Sequence, residues 1–154
     1  MGKILLIEDD GLLTKDLKKI LEDCGYDVIT AYSYVSAMDR WKGYKGKFDC
    51  IIIDLNINSS NLGDRKSSKY IPICGMAFLD DILEGVYNPE NGEDEKETVA
   101  KLNHLNKVII YSGVLKSLKQ RKFEFKYYDQ LFSILKSETS VAKLINKVRE
   151  IIKY

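Results

Sequence analysis

The apolar residues of this chain fall into short runs and into longer stripes with helical spacing. Short apolar runs are typical of strands buried on both faces of a parallel sheet. The chain has five candidates, "ILLI", "DVITA", "CIII", "VIIY" and "LFSIL". Helical spacing is clearest in "LLTKDLKKILEDCG", which ends at a glycine and whose apolar face consists of Leu13, Leu17, Ile20, Leu21 and Cys24.

Further helical segments lie between the candidate strands. They are "YVSAMDRWKG", "GMAFLDDILEG", part of "VLKSLKQRKFEFKYYD", and "SETSVAKLINKVREIIKY", for which Ser137 and Thr139 are alternative N-caps. Strand and helix therefore alternate along the chain. This order predicts an α/β fold, a doubly wound parallel sheet with helices on both faces.

Two segments interrupt the alternation. Residues 57–74 are polar and rich in Ser and Asn, and residues 87–106 begin with Pro, Gly and acidic residues. Both are predicted to be surface insertions in one domain that spans residues 1–154.

Composition narrows the class of protein. No apolar stretch is long enough to span a bilayer, and the first apolar run is too short for a signal peptide, so we expect a cytoplasmic location. The three cysteines lack metal-type spacing, which favours reduced, structural thiols. The net charge of +1 gives no case for nucleic acid binding, and we interpret the basic, aromatic "KSLKQRKFEFKYY" as a solvated helix face or a protein-docking surface.

Polar residues with reactive side chains stand at the ends of the candidate strands. Glu8, Asp9 and Asp10 follow the first strand and Asp54 follows the third. Ligand sites of open parallel sheets lie outside the carboxyl ends of the strands, where these residues would meet. We expect Asp10 to cap the first helix. The remaining acids repel one another near a low-dielectric core, so a cation or a lysine must compensate their charge.

The other strand ends supply complementary groups. The fourth strand ends in Ser112 and Gly113, and the fifth is followed by Lys136. Clustered carboxylates are hard oxygen ligands that suit Mg²⁺, and a carboxylate beside that ion can become an aspartyl phosphate. A lysine and a hydroxyl would neutralise and orient the phosphoryl group, and a glycine would leave room for it.

With these motifs in their order, the sequence resembles the receiver domain of two-component response regulators, the CheY-like superfamily. The resemblance rests on "ILLIEDD", "DCIIIDLN", "GMAFLDDI", "VIIYSG" and "SILKSE" and covers nearly the whole chain. It implies a flavodoxin-like strand order, 2-1-3-4-5, and Mg²⁺ as cofactor. In the metal site that it implies, Asp9 and Asp54 are ligands, Glu8 acts through water, and Asn56 contributes its backbone carbonyl.

The resemblance also implies the phosphoryl site. Asp54 corresponds to the phosphoacceptor, Ser112 to the hydroxyl that hydrogen-bonds the phosphoryl group, and Lys136 to the lysine that pairs with it. Gly113 corresponds to the small residue that gives the phosphoryl group access.

The chain departs from the family pattern at several positions. A proline usually follows the phosphoacceptor after a few residues, where this chain has Asn58, and another follows the lysine, where it has Ser137. The family's switch aromatic normally lies three residues before the lysine, and in this chain that position is Ser133. The neighbouring Phe132 would point to the opposite face of the sheet. Gly75 stands further along the chain than its family counterpart, so the 57–74 insertion would begin beside the site.

The function implied is a phosphorylation-controlled switch that accepts a phosphoryl group on Asp54 from a sensor histidine kinase or phosphotransfer protein. Its activity would be at most Mg²⁺-dependent self-phosphorylation and autodephosphorylation. Output would pass to a downstream protein partner, with neither nucleic acid nor membrane bound directly and with homodimerisation left open. The alternative is a pseudo-receiver, a docking module that works without phosphorylation. An enzyme or flavin carrier on the same fold is less compatible, because three acids after the first strand would repel a phosphate.

Overall fold

The structure is a computed structural model, and it describes residues 2–55, 75, 78, 79, 81, 82, 106–113, 131–137 and 140–153. The predicted insertion at 57–74, nearly all of the one at 87–106 and the basic, aromatic segment lie outside the described residues. The same holds for Asn56, Asn58 and Thr139. The prediction of one domain with two insertions therefore stays a prediction.

The predicted parallel sheet and its strand order are confirmed. Within the described part of the chain, five parallel strands form one sheet in the order β2-β1-β3-β4-β5. The strands are β1 (Lys3–Ile7), β2 (Asp27–Ala31), β3 (Cys50–Ile53), β4 (Val108–Ser112) and β5 (Phe132–Leu135). Every residue of β3 and β4 is buried, as the continuous apolar runs predict for strands covered on both faces.

Helices cover the two faces of the sheet. In the described part of the chain they are α1 (Gly11–Asp23), α2 (Tyr34–Gly43) and α3 (Ser140–Ile152), and the described residues between 75 and 82 are also helical. Asp10 caps α1 as predicted, because its side chain accepts hydrogen bonds from the N–H groups of Leu12 and Leu13, each at 3.1 Å. Gly25, at φ +93°, turns the chain out of α1.

Among the residues that the structure describes, two apolar clusters form the core, one on each face of the sheet. The first lies between the sheet, α1 and α3 and includes Leu6, Leu17, Ile52, Leu144 and Val148. The second lies between the sheet, α2 and the helical residues 75–82 and includes Leu5, Ala37, Ile53, Phe78 and Ile110. Cys50 is fully buried in the first cluster, as expected of a structural thiol, and both described cysteines are free. Among the described residues, no helix is long and apolar enough to cross a membrane.

The edge strand β5 carries the predicted departure from the family pattern. Phe132 pairs with Ile109, which belongs to the cluster under α1 and α3, whereas Ser133 pairs with Ile110 of the opposite cluster. The Lys147 ammonium of α3 lies 4.3 Å from the centre of the Phe132 ring. Phe132 therefore faces α3, and the position on the other face is occupied by Ser133.

Candidate functional site

The register of the sheet brings the ends of four strands together. Ile7 pairs with Ile53, so the residues that follow them, Glu8 and Asp54, leave β1 and β3 at the same level. Ser112 ends β4 opposite Leu135, and Lys136 comes next. Four of the residues predicted for the site thus meet at the carboxyl edge of the sheet, as expected for open parallel sheets.

Asp54 stands at the centre of this group. It is buried, and its backbone N–H donates to the carbonyl of Ile7 at 2.9 Å. One carboxylate oxygen, Oδ1, accepts a hydrogen bond from the Ser112 hydroxyl at 3.0 Å, and the other, Oδ2, accepts one from the Lys136 ammonium at 2.6 Å. Both oxygens are therefore oriented by the two residues predicted to act on the phosphoryl group.

Lys136 bridges two carboxylates. Its ammonium donates to Oδ2 of Asp54 and also to Oε2 of Glu8. Burial by itself lowers the pKa of Lys136, but hydrogen bonds and charge from Asp54 and Glu8 outweigh burial, so the net pKa is raised above 10.5. The lysine is thus a permanent positive charge between two acids.

Glu8 is the most deeply buried acid of the site, with 2% of its surface exposed. Burial is the main reason that its pKa is raised from 4.5 to about 7, and the charge of Asp54 adds to this increase. Hydrogen bonds from Lys136 and from the N–H of Asp10 act in the opposite direction. Near neutral pH this carboxyl group therefore exists in both protonation states.

The three acids predicted for the metal site lie close to one another. Glu8, Asp9 and Asp54 each offer a carboxylate oxygen, and these oxygens lie within 4.8 Å of one another. Asp9 is exposed, so the group is open to solvent on one side. Three carboxylates and one lysine leave an excess of negative charge, and an all-oxygen donor set suits Mg²⁺. The fourth predicted contributor, Asn56, lies outside the described residues.

Two glycines shape the surroundings of Asp54. Gly113 is exposed beside Ser112, and a Cβ added to it would meet nothing within 4 Å, so the space there is open. Gly75 donates its N–H to the carbonyl of Leu55 at 3.0 Å. A Cβ at Gly75 would lie 2.6 Å from Leu55 Cα and 2.9 Å from the carbonyl oxygen of Asp54, so only glycine fits. Residues 55 and 75 are therefore neighbours beside the site.

The sequence interpretation missed two polar residues near Lys136. Tyr111, immediately before Ser112, lies within hydrogen-bonding distance of Ser140, and both are buried. The only signal in the sequence was a tyrosine inside an apolar run, which a buried strand accommodates when its hydroxyl finds a partner.

The chain is similar to known proteins in sequence and in structure. No family model matches the chain. In sequence it is 36% identical over 55 residues to "Two-component response regulator ORR26" of Oryza sativa subsp. japonica, and 30% identical over 80 residues to "Transcriptional regulatory protein CrdR" of Helicobacter pylori. The matches cover 36% and 50% of this chain but 10% and 37% of those proteins, so the chain spans less than half of each.

Solved structures match over almost the whole chain. A response regulator receiver domain protein from Clostridium thermocellum has a TM-score of 0.62 at 20% identity, with 99% of this chain and 95% of that one covered. The response regulator TrrA of Thermotoga maritima, solved in complex with Mg²⁺ and BeF, has a TM-score of 0.61 at 17% identity, with 98% and 99% covered. These structural similarities confirm the predicted fold, and together with the sequence matches to response regulators they confirm the predicted resemblance.

Proposed function

We propose that this chain, which has the fold of a response regulator receiver domain, is a phosphorylation-controlled switch that accepts a phosphoryl group on Asp54. The observation that supports this best is the arrangement around Asp54, whose two carboxylate oxygens are bound by Ser112 and Lys136. The sequence similarity to response regulators supports the same function.

The reaction transfers a phosphoryl group from a histidine nitrogen of the donor protein to a carboxylate oxygen of Asp54. A carboxylate oxygen of Asp54 attacks the phosphorus atom of a phosphohistidine on a kinase or phosphotransfer protein. The P–N bond breaks, the new P–O bond forms an acyl phosphate, and the leaving imidazole takes up a proton. Water later hydrolyses the acyl phosphate, which returns the carboxylate and releases inorganic phosphate.

The residues around Asp54 change partners during this reaction. The Ser112 hydroxyl and the Lys136 ammonium, which bind the free carboxylate, transfer to phosphoryl oxygens, where more negative charge is available. Gly113 leaves open space on that side. Glu8, Asp9 and Asp54 would hold Mg²⁺ together with the carbonyl of Asn56, and the ion would supply charge neutralisation on the phosphoryl oxygens.

Output follows from this change of partners. Movement of Ser112 and Lys136 shifts the ends of β4 and β5 between two states, which a downstream protein distinguishes. Because Ser133 occupies the position of the switch aromatic, the signal is not carried by a swinging ring at that position. The expected setting is the cytoplasm, with a sensor histidine kinase or phosphotransfer protein as the donor.

Intact-mass spectrometry after incubation with acetyl phosphate tests the proposal. We expect one phosphoryl adduct on the wild type with Mg²⁺, and none without Mg²⁺ or on Asp54→Ala. The matched control is Asp39→Asn, which alters an exposed aspartate on α2 and keeps the adduct. An adduct that persists on Asp54→Ala would contradict the assignment of the phosphoacceptor.

Failure to react with acetyl phosphate has a second test. Beryllofluoride mimics the phosphoryl group on an aspartate, so its binding with Mg²⁺ reports the site without any need for phosphoryl transfer. A folded wild type that forms no adduct and does not bind beryllofluoride would refute the switch and favour the phosphorylation-independent docking module.

A further inference from the structure

A buried pair of hydroxyls joins the end of β4 to the start of α3. Tyr111 Oη lies 2.6 Å from Ser140 Oγ, and the two residues are 3% and 1% exposed. A hydroxyl removed from water destabilises the fold unless it finds hydrogen-bond partners. The phosphoryl chemistry proposed above does not use this pair.

The direction of each hydrogen bond follows from the single hydrogen of the Ser140 hydroxyl. Ser140 Oγ lies 2.8 Å from the carbonyl oxygen of Ser137, which can only accept, so Ser140 donates there. Its two lone pairs then accept from the backbone N–H of Ser137, at 3.0 Å, and from the Tyr111 hydroxyl. Tyr111 is therefore the donor, and every hydrogen-bonding position of the Ser140 hydroxyl is used.

This network fixes the peptide next to the site lysine. Ser137 follows Lys136, whose own N–H donates to the carbonyl of Ser112 at 3.1 Å. The last two residues of β4 thus hold the backbone on both sides of Lys136, Ser112 directly and Tyr111 through Ser140. The Tyr111 ring centre also lies 5.8 Å from the Lys136 ammonium, within the range of a cation–π contact.

We propose that Tyr111 and Ser140 are positioning residues, which hold Lys136 so that its ammonium reaches Asp54. This inference rests on the proposed function. Receiver domains usually have proline after this lysine, and proline restrains the backbone but has no N–H. In this chain the N–H of Ser137 is present and binds Ser140, so hydrogen bonding from Tyr111 and Ser140 takes the place of the ring.

The test compares variants that each lose one hydroxyl. Tyr111→Phe and Ser140→Ala keep the fold's packing nearly unchanged, and each is expected to slow adduct formation from acetyl phosphate about tenfold, since small misplacements of a catalytic group have effects of this size or larger. Mg²⁺ affinity, read from the Mg²⁺ dependence of the rate, stays unchanged. Hydrogen exchange of the Ser137 amide, followed by NMR, becomes faster in both variants.

Three comparisons separate positioning from a general loss of stability. The double variant is expected to be no slower than the slower single variant, because both changes break the same network. Ser140→Thr keeps the hydroxyl and restores part of the rate. Tyr26→Phe, which alters another tyrosine packed on the same face, leaves the rate and the Ser137 exchange unchanged.

The outcomes are distinguishable from those for the proposed function. A wild type with neither adduct nor beryllofluoride binding refutes the proposed function and this inference together. If Tyr111→Phe and Ser140→Ala form the adduct as fast as the wild type does, only the positioning role is refuted. The same holds if the double variant loses as much rate as the two single variants combined. If Ser140→Ala does not fold, Tyr111→Phe, which lacks a single oxygen atom, decides alone.

Discussion

The buried carboxyl of Glu8 predicts an unusual dependence of stability on pH. Its pKa is raised from 4.5 to about 7 in the folded state, mainly by burial, so between these values the folded protein binds more protons than the unfolded chain. Stability contributed by this group therefore falls as pH rises through that window. Because one pKa unit corresponds to about 1.4 kcal/mol, the full shift corresponds to about 3 kcal/mol.

The perturbation that isolates this effect is Glu8→Gln, which keeps the shape of the side chain and an oxygen that accepts from Lys136 but cannot ionise. We expect the free energy of unfolding of this variant to increase relative to the wild type by about 3 kcal/mol between pH 4.5 and 7.5. Lys136 does not obscure the comparison, because its pKa is raised above 10.5 and its contribution is lost only in more alkaline solution.

Urea unfolding without Mg²⁺ measures this difference. Trp41, the single tryptophan, is half-buried with its ring stacked on Phe48, so its fluorescence reports unfolding. The control is Glu22→Gln, since Glu22 is exposed and pairs with Lys18 at 3.7 Å, a contact worth under about 1 kcal/mol. Parallel pH profiles for the wild type and Glu8→Gln would refute the reasoning that burial raises the pKa of Glu8.

Three further results are expected. Saturating Mg²⁺ should raise the melting temperature of the wild type more at pH 8 than at pH 6, because Mg²⁺ binding favours ionised Glu8. Asp9→Asn should lose most of this increase, and an equal increase in the wild type and in Asp9→Asn would contradict the metal site. Asp10→Ala should lower stability by about 1 kcal/mol in urea titrations through the lost cap while leaving the yield of phosphoryl adduct unchanged; a lost adduct would assign this residue a chemical role. Gly75→Ala should destabilise the fold by about 1–3 kcal/mol, because the added Cβ would lie 2.6 Å from Leu55 Cα. Gly43→Ala, at a position with open space around it, should change stability little. Equal stabilities of these two variants would contradict the close approach of Gly75 to Leu55.

The sequence alone was sufficient for the fold and for the placement of the strand ends. Apolar runs and helical stripes depend on local spacing, and in a parallel sheet every carboxyl end lies on one edge. Glu8, Asp54, Ser112 and Lys136 could therefore be predicted to meet there. The cap formed by Asp10 was predictable for the same reason, because it depends on residues two and three positions away. Family resemblance then suggested a role for each residue but could not test it.

Tertiary structure alone decided how these residues interact. Lys136 contacts Glu8 across 128 positions of the chain, and the depth to which Glu8 is buried follows from how the strands and helices pack around it. The approach of Gly75 to Leu55 and the hydrogen bond from Tyr111 to Ser140 likewise depend on register and on the path of the chain between elements. Pairing of side chains at such separations, and the pKa shifts that burial produces, arise from three-dimensional proximity, which no local pattern of residues encodes.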